Sequence, residues 1–339
     1  MKILYLIDFP LSSIGGAQKS AYTTAEIAKQ NGHNIIFVEA HNKLSRTIYL
    51  IIAAWKNRPD IIHAQFSQYG LILILCKYLG LLPKKSKCIF QDRHFFDEYN
   101  NLYKNIFRLC SHRLYTVVCT TENNMNRWKK ECKKNKIELL PNVLNENWYK
   151  FDANKKFSDR FTVGFAARWG MPFKRWDTVC DICNLLKDKN INIYIAFATY
   201  YERSYNKKMQ EFAENLRSFL KNKLKIIIDA DETEMEQFYY ALDVFILTSR
   251  NESFGRTLIE AMARGCAVLG TNSGGVPNVI GKQENLFEVG DAQMAVNKIL
   301  EFYNNPELLK NDKAYFLDRV HKKFSLENYE KKLLSIYGA

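Results

Sequence analysis

The sequence predicts an α/β protein of two domains, and three observations carry that expectation. Short apolar runs alternate with longer amphipathic stretches from Lys2 onward, as strands alternate with crossover helices. A length of 339 residues is enough for two α/β domains with large cores. The third is the stretch Ser249 to Pro277, which combines a strand end, a bend and a helix. Phe245-Ile246-Leu247 closes an apolar run, Ser253-Phe254-Gly255 makes a tight turn, and Arg256 to Arg264 reads as a helix that can pack through Leu258, Ile259, Ala261 and Met262. Cys266 to Leu269 is a further apolar run, closed by Ser273-Gly274-Gly275. Strand, turn and helix in that order put unpaired helix N–H groups at the carboxyl edge of a parallel sheet. There the helix dipole and free amides together hold an anion such as a diphosphate.

The first half reads as follows. Lys2 to Asp8 is a strand, Ser12 to Gly16 a glycine turn, Ala17 to Gln30 an amphipathic helix and Ile35 to Val38 a strand. Leu44 to Lys56 is a helix, and Arg58 to His63 opens a strand. Leu71 to Leu81 is a helix followed by Lys84, Lys85 and Lys87, and Cys88 to Gln91 is a strand. His94 falls just past that strand's carboxyl end, where ligand-contacting loops sit in open α/β sheets. Leu102 to His112 is a helix, Tyr115 to Cys119 a strand, and Thr121 to Lys134 a basic helix carrying Trp128. Ile137 to Leu140 and the turn at Pro141-Asn142 close the half.

Asp152 to Arg160 is a polar linker, and Phe161 to Ala167 is the next strand, with Arg168 at its end. Trp176 to Lys187 is a helix and Ile191 to Ala196 a strand. Asn206 to Leu220 is a helix, Leu224 to Ile228 a strand, and Thr233 to Leu242 a helix leading into the Ser249–Pro277 stretch. Ala292 to Tyr303 is a helix stopped by Asn304-Asn305-Pro306, a second helix runs from about Glu307, and the last helix begins near Phe324.

Composition narrows the class. The apolar share of 47% and charged share of 25% are ordinary for a globular protein. Eight cysteines are scattered without a disulfide framework, and Cys180-x-x-Cys183 sits in an apolar helical pattern that points to packing; such usage suits a reducing cytoplasm. Met1 to Ile7 reads as a strand, not a signal peptide, and Gly70 to Leu82 is too short to span a bilayer. The net charge of +13 is uneven: residues 1–150 hold 22 Lys and Arg against 11 Asp and Glu. That half is expected to face something anionic, a membrane surface, a lipid-phosphate acceptor or nucleic acid, or to be basic for solubility alone. The Thr121–Lys134 helix is either a membrane-surface helix or a helix with one buried and one lysine face. No nucleic-acid motif is present.

Two acids, Glu252 and Glu260, flank the expected anion site. Glu260 lies four residues beyond Arg256 and shares its helix face. Beside a bound anion, acids make sense as hydroxyl ligands, with cations elsewhere holding phosphate; the same spacing also suits ordinary surface glutamates.

Glu252-Ser-Phe-Gly-Arg-Thr-Leu-Ile-Glu260, with Ala261 to Gly265 and Gly274-Gly275-Val276-Pro277, resembles the E-x7-E signature of retaining glycosyltransferases of family 4 (glycosyltransferase group 1). The resemblance implies a GT-B fold: two facing Rossmann-like domains with an interdomain cleft and a C-terminal helix crossing back to the first. Residues 1–150 would be the acceptor side, 151–322 the nucleotide-sugar donor domain and 323–339 the returning helix.

It further implies roles. Arg168 and Lys174 match the family's arginine and lysine that hold the donor diphosphate, though Gly-Arg is here Ala167-Arg168 and Lys-Gly is Lys174-Arg175. Ser253, Phe254, Gly255, Arg256 and Thr257 would line the donor phosphates at the helix start. Glu260 would bind the ribose, and Glu252 the sugar near its anomeric centre. His94 matches a histidine that fixes the donor pose, and Gly15 and Gly16 fall in the loop that shapes the acceptor side or are a plain tight turn. His63, in a segment resembling the family's RPDIVH, is weighed as structural. Asp229-Ala230-Asp231 falls in the base region, so it is not taken as a metal-binding DxD pair; no metal and no cofactor beyond the nucleotide-sugar co-substrate are expected.

The expected activity is retaining, metal-independent transfer of a hexosyl group from a UDP- or GDP-sugar to a glycan or lipid-linked acceptor, as in lipopolysaccharide or capsule assembly. The setting would be cytoplasmic, with peripheral attachment to the membrane through the basic half. Transfer to a small soluble acceptor, epimerisation of a sugar nucleotide and a non-catalytic GT-B subunit stand as alternatives.

Overall fold

In the computed structural model the described residues are 1–7, 16–39, 43–155, 157–199 and 203–338. The chain divides into two compact units, residues 1–143 with 326–339, and residues 144–325. Where the sequence reading drew a boundary after 150, the chain passes into the second unit at Leu144, because Leu144 and Trp148 are buried in that unit's core.

The first unit runs β1 (Lys2–Ile7), α1 (Gly16–Gln30), β2 (Asn34–Glu39), α2 (Lys43–Asn57), β3 (Ile61–Ala64), α3 (Ser67–Tyr78), β4 (Lys87–Asp92), α4 (Asn101–Cys110), β5 (Thr116–Cys119), α5 (Glu122–Glu131) and β6 (Ile137–Leu139). Its six strands are parallel in the order β2-β1-β3-β4-β5-β6. Strands β1, β3 and β5 are buried throughout or nearly so, which is why they read as continuous apolar runs instead of alternating ones. One layer of helices, including α2, α3, α4 and α5, shares a core with one sheet face. The other face is covered by α1 and by the helix Leu326–Tyr337 at the far end of the sequence. Helix α3 stops at Tyr78, short of the expected Leu81, because Gly80 takes a left-handed conformation and ends the turn.

The second unit runs β7 (Thr162–Arg168), α6 (Trp176–Leu186), β8 (Asn192–Ala198), α7 (Arg203–Leu220), β9 (Leu224–Ile228), α8 (Glu232–Tyr240), β10 (Val244–Leu247), α9 (Arg256–Ala263), β11 (Ala267–Thr271), α10 (Val276–Ile280), β12 (Leu286–Phe287), α11 (Ala292–Asn304) and α12 (Pro306–Lys323); Leu326–Tyr337 of the first unit is α13. Its parallel order is β12-β11-β10-β7-β8-β9. Numbered from β7, this is the doubly wound 3-2-1-4-5-6 order, and strand direction of travel reverses between β7 and β10. Asn305 divides α11 from α12, and its side chain accepts from Leu308 N at 3.1 Å to cap the second. Among the described residues no helix is long and apolar enough to cross a membrane.

Candidate active site

In open α/β sheets ligands bind beyond the carboxyl ends of the strands where the order reverses, and Arg168, Lys174 and Glu252 lie at or just past the ends of β7 and β10. Arg168 is the last residue of β7. A short helical turn, Pro172–Lys174, follows, and Arg175 at φ 55° starts α6. Trp176 Nε1 donates to the Arg168 carbonyl at 3.3 Å, tying the strand end to this turn. From the β10 side, Thr248 Oγ1 donates to the Lys174 carbonyl at 2.9 Å and Arg250 N to the Phe173 carbonyl at 2.7 Å. These bonds bring Lys174 beside Glu252: Lys174 Nζ and Glu252 Oε2 form an ion pair, both side chains mostly covered. Seventy-eight residues separate them in sequence.

The loop carrying Glu252 is held from behind by the glycines of the GGVP segment. Gly275 N donates to the Glu252 carbonyl at 2.7 Å. A Cβ on Gly274, which has φ +61°, would run into that same carbonyl oxygen, so only glycine lets the two chains lie this close. Asn251 takes the left-handed conformation at φ 56° and is clamped by Ser273: its N donates to Ser273 Oγ at 3.0 Å, and that hydroxyl donates to Asn251 Oδ1 at 2.9 Å.

Helix α9 starts at Gly255, again left-handed at φ +80°, a cap residue with no side chain to offer its first amides. Those amides are what a helix offers an anion. Ser253 and Thr257 are half-buried at this end. The Phe254 side chain, expected among the donor-lining residues, instead packs into the core, edge-on to Phe324 at 5.6 Å. A buried phenyl ring stabilises the bend, so what Phe254 offers a ligand is main chain.

Arg256 and Glu260 form the expected i, i+4 pair, Nε to Oε1 at 2.9 Å, and both are buried. Tyr239 on α8 donates to the other oxygen, Oε2, at 3.0 Å. Burial, and then the Glu260 charge, pushes the Tyr239 hydroxyl well above its usual pKa, so it stays a donor. Glu260 therefore holds one internal partner on each oxygen and keeps one acceptor site on each for further hydroxyls. Arg175 pairs with Asp177 at 2.7 Å, and this pairing holds the Asp177 carboxyl below its usual range. Asp231 caps α8 in a reciprocal box with Glu234, which is local helix chemistry.

In the first unit, His94 is exposed on the loop after β4, its ring 5.8 Å from that of Tyr99. Sequence reasoning gave Asp92 no role, yet it builds this loop. Asp92 is buried and accepts from His94 N at 3.0 Å, Tyr99 Oη at 2.6 Å, Asn124 Nδ2 at 3.1 Å and Trp128 Nε1 at 2.7 Å. Trp128 is therefore wholly in the core, and Arg127 pairs with Asp97 and Glu131. The α5 helix offers no aromatic to a membrane surface; its tryptophan belongs to the buried face. His63 is structural: buried between Tyr337 Oη at 2.9 Å and Gln65 Nε2 at 3.0 Å, its pKa is pushed down to about 3 by burial and by Arg93. Gly16 opens α1 and is exposed, while Gly15 lies outside the described residues.

Parallel sheets in two Rossmann-like units match the GT-B fold. Residues 147–315, which lie within the second unit, match the family model described as glycosyl transferases group 1. The chain is 31% identical over 140 residues to trehalose synthase of Pyrococcus horikoshii, covering 41% of this chain and 32% of that protein. It is 25% identical over 215 residues to the capsular polysaccharide biosynthesis glycosyltransferase CapM of Staphylococcus aureus, covering 60% and 51%. The matches thus span about a third and about half of those relatives. The crystal structure of Anabaena Alr3699/HepE in complex with UDP and glucose superposes with a TM-score of 0.79 at 14% identity, covering 100% of this chain and 99% of that one.

Proposed function

We propose that this protein is a retaining glycosyltransferase that moves a hexosyl group from a UDP- or GDP-sugar to a hydroxyl of a glycan or lipid-linked acceptor in cell-surface polysaccharide assembly. The observation that carries the reading is the Lys174–Glu252 pair at the β7/β10 reversal, with Arg168 closing β7 and α9 starting just after Glu252. A nucleotide-diphosphate sugar offers each member a replacement partner: phosphate oxygens for Lys174 and sugar hydroxyls for Glu252. Arg168 matches a diphosphate bidentately, Lys174 adds a point charge, and the amides of Gly255, Arg256 and Thr257 add the helix dipole. Together they stabilise the charge that grows on the leaving diphosphate as the glycosidic bond breaks. Glu260, braced by Arg256 and Tyr239, presents its remaining lone pairs to ribose hydroxyls.

In this reading the leaving phosphate takes the acceptor proton on the front face, and neither a metal nor a cofactor is needed. The UDP and glucose of the Alr3699/HepE complex support the donor class, and the capsular polysaccharide biosynthesis for which CapM is named supports the acceptor class. In the first unit the proposal extends to His94 as a sugar-positioning group and to Gly15 and Gly16 as acceptor-side residues.

The test is a panel of UDP- and GDP-sugars read by nucleotide release, with wild type and Glu252→Ala. Release from one donor, cut at least tenfold in Glu252→Ala, is the expected result. No release from any donor, with or without glycan acceptors, sinks the transferase reading and leaves a binding subunit.

A further inference from the structure

The first unit shows solvent a face that its fold does not explain. On α2, Ile48, Tyr49, Ile52 and Trp55 are all exposed, Ile52 at 55%. Their spacing of one, three and three residues sets them in one stripe along the helix. The opposite side of α2 is already buried through Leu50 and Ala54. The stripe continues into the end of α3 and its loop: Trp55 Nε1 donates to the Leu81 carbonyl at 2.9 Å, and Tyr78, Leu79 and Leu81 are exposed there, Leu79 at 65%. Helix α4, which shares a core with α2 and α3 on the same sheet face, adds exposed Leu102 and Leu109. A protein that keeps its surface wet does not usually line up large apolar side chains in this way.

Charge says what covers it. Between Lys43 and Phe90 the sequence has a single carboxylate, Asp60, which accepts from Lys2 N at 2.7 Å. Lys56, Arg58, Lys84 and Lys85 are exposed around the stripe, and Arg58 lies over the Trp55 ring at 4.6 Å. Apolar side chains flanked by Lys and Arg, with Trp and Tyr among them, are what an interfacial helix presents to an anionic bilayer. We infer that the α2–α3–α4 face seats this protein on an anionic lipid surface, α2 lying in the headgroup plane with Ile48, Tyr49, Ile52 and Trp55 entering the acyl boundary. This deepens the reading of a lipid-linked acceptor and rests on it for its purpose. It replaces α5 as the membrane-facing element.

Vesicles decide it without any donor or acceptor present, so its failure is separable from failure of the transferase reading. Wild type is expected to sediment with vesicles of phosphatidylglycerol and phosphatidylcholine at low salt, and to be released as salt rises. Tyr49→Ser with Ile52→Ser should weaken partitioning at least about tenfold. Lys84→Glu or Lys85→Glu should weaken it roughly fivefold each. Trp55 is the exposed one of the five tryptophans, so brominated lipid should quench fluorescence in wild type and not in Trp55→Phe. The inference is overturned if wild type stays in the supernatant, or if the double serine variant, native by circular dichroism, binds vesicles as well as wild type. It is equally overturned if wild type self-associates in vesicle-free solution and the double variant abolishes only that association, since the face would then be a contact between copies.

Discussion

The two units share an architecture, six parallel strands with helices on the flanks, yet they spend their polar residues in opposite ways. In the second unit, charged side chains at the β7/β10 reversal are paired and mostly covered: Lys174 with Glu252, Arg256 with Glu260. In the first unit the buried polar groups brace loops and helices, as Asp92 does under His94, His63 against Tyr337 and Arg93 against Gln65 and Asn142, while most of its other Lys and Arg stay at least partly exposed. The imbalance of 22 bases to 11 acids in residues 1–150 is the bulk expression of this. What differs is where the ion pairs lie: Arg127–Asp97 and Lys29–Glu26 of the first unit are open to solvent, whereas Lys174–Glu252 and Arg256–Glu260 are mostly covered.

The comparison breaks most visibly at Arg168. If the second unit stabilises a leaving diphosphate, Arg168→Ala should lower kcat by roughly 10²–10³ while far-UV circular dichroism stays native. An unchanged rate removes Arg168 from the chemistry and with it the contrast between the units.

The pH dependence of stability should come in good part from the first unit. His63 stays neutral in the fold down to about pH 3, whereas an unfolded histidine titrates near its ordinary 6.5. Between these values the unfolded chain binds the extra proton, so stability rises with pH there; the contribution is complete above about 6.5 and shrinks as pH falls. The expected slope is about 1.4 kcal/mol per pH unit, or about 3 kcal/mol lost by pH 4. Denaturant titrations of wild type and His63→Asn across that window measure it; parallel curves for the two proteins would refute it.

Tyr239→Phe should give the smallest effect and the finest discrimination. Losing one donor to Glu260 should cost about 1 kcal/mol of stability. If Glu260 holds ribose, donor KM should rise several-fold with kcat nearly unchanged. A change in stability alone would confine Glu260 to packing.

Much of the fold was legible in the sequence because its signals are local. Short apolar runs gave all the strands but β12, and Asn304-Asn305-Pro306 marked the end of α11, whereas the stop that Gly80 imposes on α3 was overrun. The i, i+4 relation of Arg256 and Glu260 needs only helical geometry to become contact. Within the site, residues on one element were legible. Partners from distant segments were not: Tyr239 and Asp92 carry no spacing signal, since their bonds reach 21 residues to Glu260 and 36 to Trp128.

Trp128 and Trp55 show where the line falls. Both sit on helices rich in bases, and periodicity gives each helix an apolar stripe without saying what meets it. Burial under Asp92 takes Trp128 into the core, while α2, apolar on two sides, buries Leu50 and leaves Trp55 outside. By itself the sequence determined the order of strands and helices apart from the short α10 and β12, the turn that starts α9, and which residue types would gather at its edge. Only the tertiary structure decided that Lys174 meets Glu252 across seventy-eight residues and which apolar faces stay in water. The physical reason is that backbone propensity acts over a few residues, whereas strand order and helix packing set which side chains become neighbours.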